Sequence, residues 1–573
     1  MSLASIVATT MTHYADSPAL GERHYSFITN NITKEVHSQL SLSYTTVTYS
    51  ELWQRVSFLA AELYHRPYAP ITAGCSVAFL AFTSGDYVTL DLACIYLGAV
   101  TVSLQTNASG DYINSILNES APLIIAVSID HLDAAIDAAL NTSSISRIVL
   151  LNYYPAVSEH AAKLSTARRR LSEHSSTVSI DCLNEMITAG KSLPDAPLYN
   201  SPDADDELSM LIYTSGSTGT PKGAMYTQKL ASGMWGGSWA TIFSKEPPIS
   251  FHYMPMSHVA GHSSLKSTLA RGGTCYFTAK SNLSTLLEDI SLCRPTELSL
   301  VPRICELISQ TYQLALIKHN VAQGDPKASS ILEHIRTNTL GGRVAWASCS
   351  SAPLPETLKK FMETLLNIPI HNVYGSTEAG AIWIDNELLN PPVLNFKLID
   401  APELGYFTTD LPFPRGELLL KTLSIIPGYY KRPDLANELF DEQGYYKTGD
   451  IVAQTGSHRL EFVDRRKNIL KLSQGEFIAT SQLETLYSAI PEIQNIYIYG
   501  KGEWSYFLAV IIPYNDLTEH LDEKTEVIKQ FFMNAIRQHA KTNKLRSYEI
   551  PRDVLIDKTP FTQLNGLLSD HGK

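Results

Sequence analysis

Apolar residues recur along this chain in two rhythms. Thr48, Tyr49, Ser50 and Glu51 have the spacing of a capping box, and Leu52, Val56, Leu59 and Leu63 then follow at helical intervals, which predicts a helix with one buried stripe. Cys75–Phe82 (CSVAFLAF), Leu123–Val127 (LIIAV), Arg147–Leu151 (RIVLL) and Leu208–Tyr213 (LSMLIY) are short apolar runs, better suited to buried strands. Strand-like and helix-like stretches alternate, the pattern of an α/β layered domain. Residues Ile187 to Asp206, rich in Pro, Asp, Ser and Gly, read as a connection. Val301–Leu316 is helical after its proline, and Val344–Ser348 and Ile370–Tyr374 read as strands.

The composition changes after Arg466. Lys467 to Lys573 holds 12 Lys plus Arg and 13 Asp plus Glu, a net of −1, so −11 of the chain's −12 falls on residues 1–466. Strands at Ile493–Lys501, Tyr506–Tyr514 and Asp553–Asp557 and a helix near Val527–Ala540 predict a small α+β lobe, residues 467–573, tethered to a large multi-sheet α/β body, residues 1–466. A chain of 573 residues is also too long for one growing core.

The net charge of −12 argues against a nucleic-acid partner. Seven cysteines with no CxxC pair suggest reduced thiols rather than a disulfide framework or a zinc site. The first twenty residues lack a basic n-region, and no apolar run approaches the ~20 residues that span a bilayer, so a cytoplasmic protein with no membrane partner is expected.

The densest chemistry follows the run at Leu208–Tyr213. Thr214, Ser215, Gly216, Ser217, Thr218, Gly219, Thr220, Pro221, Lys222 and Gly223 combine five hydroxyls, three glycines and one lysine. Glycines let backbone N–H groups turn inward, hydroxyls add donors and Lys222 adds a cation, which together suit a polyphosphate. Lys222 lies between Pro221 and Gly223, so this is not a Walker loop, and no Gly-x-Ser-x-Gly elbow is present. Tyr213 to Gly223 resembles the phosphate loop of the adenylate-forming superfamily, which includes acyl-CoA synthetases, luciferases and adenylation domains.

Two stretches downstream place strand ends beside small residues, where ligands sit in α/β sheets: Ser348–Pro355 (SCSSAPLP), with Ser351 at its centre, and Asn372–Gly380 (NVYGSTEAG). In the second, Tyr374 offers a ring for a purine, Thr377 a hydroxyl and Glu378 a carboxylate for Mg²⁺, with Gly375 and Ser376 between them. The resemblance implies that Tyr374 binds adenine, Thr377 the α-phosphate and Glu378 the metal, that Asp450 in Tyr446–Asp450 (YKTGD) takes the ribose hydroxyls, and that Arg465 contacts the nucleotide with Lys467 as the hinge. Many relatives have Asp at the hinge and Gly at the position of Asp464. That departure, Lys471–Phe477 (KLSQGEF) and the closing Pro560–Lys573 (PFTQLNGLLSDHGK) are similar to the carboxylic acid reductase subfamily. The resemblance makes Lys573 the mobile catalytic lysine.

His258 and His262 stand four apart, but no Glu follows the first and Gly261 interrupts the turn, which does not favour zinc. The segment resembles the superfamily's acyl-pocket motif, so His258 would line the carboxylate's approach. Tyr253–His262 contains no carboxylate to pair a substrate ammonium, which favours an aliphatic or aromatic acid over an α-amino acid.

Together these readings predict ATP- and Mg²⁺-dependent formation of acyl-AMP from a carboxylic acid, followed by transfer to a phosphopantetheine thiol of a carrier domain or of coenzyme A. No Gly-x-Gly-x-x-Gly fingerprint occurs, so NADPH would belong only to a reductase domain beyond Lys573, with a carrier domain between. The alternatives are a free-standing acyl-CoA ligase and a non-catalytic nucleotide-binding module.

Overall fold

The computed structural model describes residues 2–174, 177–215, 220–236, 246–322, 325–514, 521–559, 561 and 567, with Ser215 and residues 521–525 described by backbone alone. The chain divides into two compact units, one of residues 1–299, 324–347 and 426–436, the other of residues 300–323, 348–425 and 437–573.

The first unit is built on a seven-stranded sheet. Its order runs Ser179–Cys182, Arg147–Leu151, Ile124–Ser128, Ser76–Leu80, Val100–Ser103, Leu208–Ser215 and Pro221–Thr227. The first six strands are parallel and the seventh returns antiparallel. Successive side chains in a strand point to opposite faces. Accordingly Val77, Phe79, Ile124 and Ala126 enter one apolar core while Ala78, Leu80, Ile125 and Val127 enter another. Covering both faces is what parallel sheets require, and it explains the unbroken apolar runs.

Helix Tyr49–His65 closes one face. Thr48 Oγ1 accepts from the Glu51 N–H and the Glu51 side chain accepts from the Thr48 N–H, so the capping box is formed, and Leu52, Val56, Leu59 and Leu63 are wholly buried. The connection expected from Ile187 starts later, because helix Leu183–Gly190 runs through it and buries Met186 and Ile187. A long antiparallel ribbon, Pro18–Thr29 with Val36–Thr48, joins Thr274–Phe277 and Ile249–His252 in this unit.

The second unit contains helix Pro302–Lys318, an antiparallel hairpin of Ile370–Ser376 with Gly380–Ile384, and a four-stranded antiparallel sheet of Val393–Ile399, Arg415–Thr422, Tyr446–Gln454 and Leu460–Arg465. Beyond Arg466, Ile493–Gly500, Phe507–Pro513 and Asp553–Ile556 form a three-stranded sheet whose core includes Tyr487, Phe507, Phe532, Ile536 and Val554. The α/β fold class is as expected. No described helix is long and apolar enough to cross a membrane.

Candidate functional site

The phosphate-loop motif lies in the first unit as a hairpin. Leu208–Ser215 pairs with Pro221–Thr227, placing Ile212 opposite Ala224, Tyr213 opposite Gly223 and Thr214 opposite Lys222. Residues directly opposite in an antiparallel pair share a face, so Thr214 and Lys222 project together. Lys222 therefore stands on the returning strand and not in the glycine- and hydroxyl-rich loop expected from sequence. Gly216, Ser217, Thr218 and Gly219 lie outside the described residues.

Local packing accounts for the hairpin's glycine. A Cβ at Gly223 would sit 2.9 Å from Tyr213 Cζ, so only glycine lets that ring lie across the returning strand. The Tyr213 hydroxyl donates to Glu119 Oε2 at 2.5 Å, and burial followed by that bond raises the phenol's pKa. The outer edge of Pro221–Thr227 is covered by residues 428–430: Met225 N–H donates to Gly428 O at 3.2 Å and Tyr430 N–H to Gly223 O at 2.8 Å. This contact brings Tyr429 to Lys222, whose Nζ lies 5.6 Å from the ring centroid, within cation–π range. The Asp434 carboxyl is held below its ordinary range, first by the hydrogen bond from Arg432 and in smaller part by the charge of Lys222.

The second unit gathers Tyr374, Glu378, Asp450 and Arg465. Tyr374 lies on strand Ile370–Ser376, whose tight return needs glycine, since a Cβ at Gly375 would be 2.3 Å from Gly380 O. Its ring stacks on Trp383 of the paired strand with centroids 3.7 Å apart and planes 13° from parallel. Asp450 is on strand Tyr446–Gln454, immediately after Gly449, which adopts a positive φ of 69°. Thr448 Oγ1 accepts from Asp450 N–H at 3.0 Å and donates to Leu418 O at 2.9 Å, so the Thr-Gly-Asp triplet is a kink that turns the carboxylate inward. Asp450 is 2% exposed, and its Oδ2 accepts from the Tyr374 hydroxyl while Oδ1 lies 3.2 Å from Arg465 Nε.

Glu378 and Thr377 are half-buried on the turn after Ser376, whose hydroxyl accepts from Ala379 N–H at 3.1 Å. Tyr446, buried at the start of the same strand as Asp450, donates to Glu378 Oε2 at 3.4 Å. Trp383, Tyr446 and Tyr429 were not singled out from sequence; their signal was an aromatic adjoining or within a motif, which is also the signal of ordinary core packing.

The other candidates fall in separate settings. Ser351 has φ 76°, a left-handed conformation that a side chain pays for in strain, just after the strand ending at Cys349. His258 is half-buried at the N-terminal end of helix Val259–Ala270 in the first unit. His262 is fully buried on that helix with Nε2 3.3 Å from Ser103 Oγ, and burial, then the charge of Lys266, drives its pKa far down. Lys467 is exposed in the short turn Arg466–Asn468. On either side of it, Arg466 is ion-paired with Glu403 and Glu417, and Asp464 Oδ2 accepts from Ser481 N–H at 3.1 Å, at the start of helix Thr480–Tyr487. Lys573 lies outside the described residues.

The chain belongs to the AMP-binding enzyme family, whose model matches residues 30–430. It is 45% identical, over its whole length, to the carboxylic acid reductase of Segniliparus rugosus and 43% identical, over 99% of its length, to that of Mycobacterium tuberculosis. It spans about half the length of these curated relatives, 49% and 48%. Among solved structures, the A domain of the Segniliparus rugosus reductase in complex with AMP and a co-purified carboxylic acid is similar with a TM-score of 0.95 and 45% identity, covering 100% of this chain and 91% of that one. The A-PCP didomain of the same reductase, in complex with AMP, is similar with the same TM-score and identity, covering 100% of this chain and 79% of that one.

Proposed function

We propose that this chain activates a carboxylic acid as its acyl-AMP and hands the acyl group to a phosphopantetheine thiol, as the adenylation portion of a longer carboxylic acid reductase. The observation that carries the reading is the buried Asp450 carboxylate, held by the Tyr374 phenol and Arg465 behind a stacked aromatic platform. This is a site for a ribose diol beside a base, in a chain similar over its full length to a domain solved with AMP and an acid.

In the first step an oxygen of the acid's carboxylate bonds to the α-phosphorus of ATP while the bond from that phosphorus to the pyrophosphate oxygen breaks. Such a reaction depends on positioning and charge stabilisation. The segment from Thr214 through Ser215, Gly216, Ser217, Thr218 and Gly219 to Lys222 would hold the triphosphate, and Thr377 an oxygen of the α-phosphate. Ser351, Gly375 and Ser376 would line the nucleotide, with Tyr374, Asp450 and Arg465 on the base and ribose. Glu378, a half-buried hard-oxygen donor steadied by Tyr446, fits Mg²⁺, which when bound would neutralise phosphate charge. His258 would line the acid's approach, and the absence of a carboxylate in Tyr253–His262 supports an aliphatic or aromatic acid.

In the second step the thiol sulfur bonds to the acyl carbon, AMP leaves and the thiol proton is released. We assign residues 1–466 to the catalytic body and 467–573 to a lobe that turns about Lys467 between the two steps. The lobe's own core, which lies entirely beyond Arg466, supports that division. Carrier and NADPH-dependent reductase domains would complete the full-length protein.

Acid-dependent exchange of pyrophosphate into ATP tests the first step, and a panel of acids gives the substrate range. Lys573→Ala should lower acyl-AMP formation by about 10²–10³-fold, as loss of one charge-stabilising group does, while leaving thiolation of preformed acyl-AMP intact. Equal loss of both steps refutes the role of Lys573, and rapid turnover of free coenzyme A would favour a free-standing ligase.

A further inference from the structure

Asp450 is positioned by a residue with a second task. Its carboxylate can rotate about the Cβ–Cγ bond, a soft torsion that by itself leaves the two oxygens poorly directed. A ribose diol needs them directed, because its two hydroxyls meet the two oxygens only in one plane. In this protein the plane is set from two sides. The Tyr374 hydroxyl donates to Oδ2, and the Arg465 guanidinium approaches Oδ1 at 3.2 Å. Arg465 is the weaker fastener, with 46% of its side chain exposed, whereas the Tyr374 ring is clamped on Trp383 and also lies 6.0 Å from Phe462. A carboxylate offers about four acceptor directions, so the phenol's hydrogen bond and the guanidinium's charge orient it without exhausting its capacity. The phenol's pKa is raised well above its ordinary value, by burial first and by the Asp450 charge second, so it keeps the proton it donates.

We infer that Tyr374 is a positioning residue for Asp450, so that one side chain both backs the base with its ring and, through its hydroxyl, sets the preference for a ribonucleotide over a 2′-deoxyribonucleotide. This rests on the nucleotide-activating reading above. Loss of the ring and loss of the hydroxyl then have separate consequences. Without the hydroxyl the platform stays, but the carboxylate is no longer held in the diol's plane, and the energetic difference between a 2′-hydroxyl and a 2′-hydrogen shrinks.

The test is acid-dependent pyrophosphate exchange with ATP and with 2′-deoxy-ATP, together with calorimetric binding of AMP and 2′-deoxy-AMP. Both are measured on the unmodified protein, on Tyr374→Phe and on Tyr374→Trp, with thermal melts to establish folding. Tyr374→Phe should keep kcat for ATP within a few-fold, raise KM for ATP, and lower the ATP to 2′-deoxy-ATP ratio of kcat/KM by about tenfold, the size of one hydrogen bond to a charged group. The AMP to 2′-deoxy-AMP affinity ratio should fall in parallel. Tyr374→Trp keeps a platform without the phenol and should lose the same discrimination. An unchanged ratio in either folded variant, with an active parent, overturns this inference alone. Absence of exchange in the parent overturns the functional reading and this inference with it.

Discussion

The seven-stranded sheet of the first unit and the antiparallel framework around Asp450 in the second solve opposite problems. In the former, strands Ser76–Leu80, Ile124–Ser128 and Arg147–Leu151 are covered on both faces, and nearly every inward atom is carbon. Burial of those carbons needs no partner, only filled volume, while Arg147, buried at the start of its strand, is ion-paired with Glu62 and Asp181. In the latter, Tyr374, Asp450 and Arg465 are joined by polar contacts, and Tyr446 donates to Glu378, so polar groups there are held by polar neighbours. The contrast teaches where stability and chemistry are separately encoded: the first framework should respond to mutation in stability, the second in nucleotide handling.

The largest effect expected from this contrast is in the parallel sheet. Phe79 is fully buried and packs on Tyr87 with ring centroids 4.5 Å apart. Phe79→Ala should cost about 3–5 kcal/mol of unfolding free energy through lost transfer energy and the cavity left behind. Chemical denaturation measures this, and KM for ATP in the surviving folded fraction should be unchanged. A large shift in KM would break the separation of roles.

Next in size is Asp450→Ala. It removes the carboxylate proposed to accept from two ribose hydroxyls and strands the Tyr374 phenol, so kcat/KM for ATP in the exchange reaction should fall by about 10²-fold or more, corresponding to ~3 kcal/mol of hydrogen bonds to a charged group. Asp450→Asn, which keeps the shape, should recover part of the stability but little of the activity. If both variants exchange normally, the polar cluster around Asp450 is structural and the comparison fails on this side.

The same contrast explains what could be read in advance. Parallel strands with two buried faces leave continuous apolar runs, so LIIAV and RIVLL announced themselves, as did the capping box ahead of Leu52. The four-stranded sheet did not. Strands such as Val393–Ile399 (VLNFKLI) mix polar and apolar residues on half-exposed faces, and the ribbon strand Val36–Thr48 (VHSQLSLSYTTVT) is largely polar. The run of glycines and hydroxyls from Thr214 to Gly223 places Lys222 in a loop when read from sequence; the register that zips Thr214 to Lys222 is a property of two strands and not of either. The motifs proposed for the site stand out in the sequence through Tyr374, Thr377, Glu378 and Asp450. The Tyr374–Asp450 contact, and the supporting Trp383 and Tyr446, do not, because a motif marks residue types along the chain while this contact joins side chains 76 positions apart.

The smallest effect sharpens the comparison within the second unit by asking whether the region beyond Arg466 also places ionisable groups under tension. Glu484, half-buried on helix Thr480–Tyr487, accepts from Ile498 N–H at 2.8 Å, yet burial raises its carboxyl pKa from 4.5 to about 7, with the Asp464 charge adding to the rise. Between those values the folded chain keeps a proton that the unfolded chain has released. Folding therefore takes up a proton there, and this group's contribution to stability falls as pH rises from about 4.5 to about 7, then stays level above. The slope is expected to be a fraction of the ~1.4 kcal/mol per pH unit that one fully exchanged proton gives, because partial exposure screens the group. Glu484→Gln, neutral at every pH, should flatten that decline in melting temperature between pH 5 and 7 relative to the parent. Parallel slopes in the two proteins would mean that Glu484 is as comfortable ionised as it is in the unfolded chain, and that the tension between burial and charge is confined to the residues around Asp450.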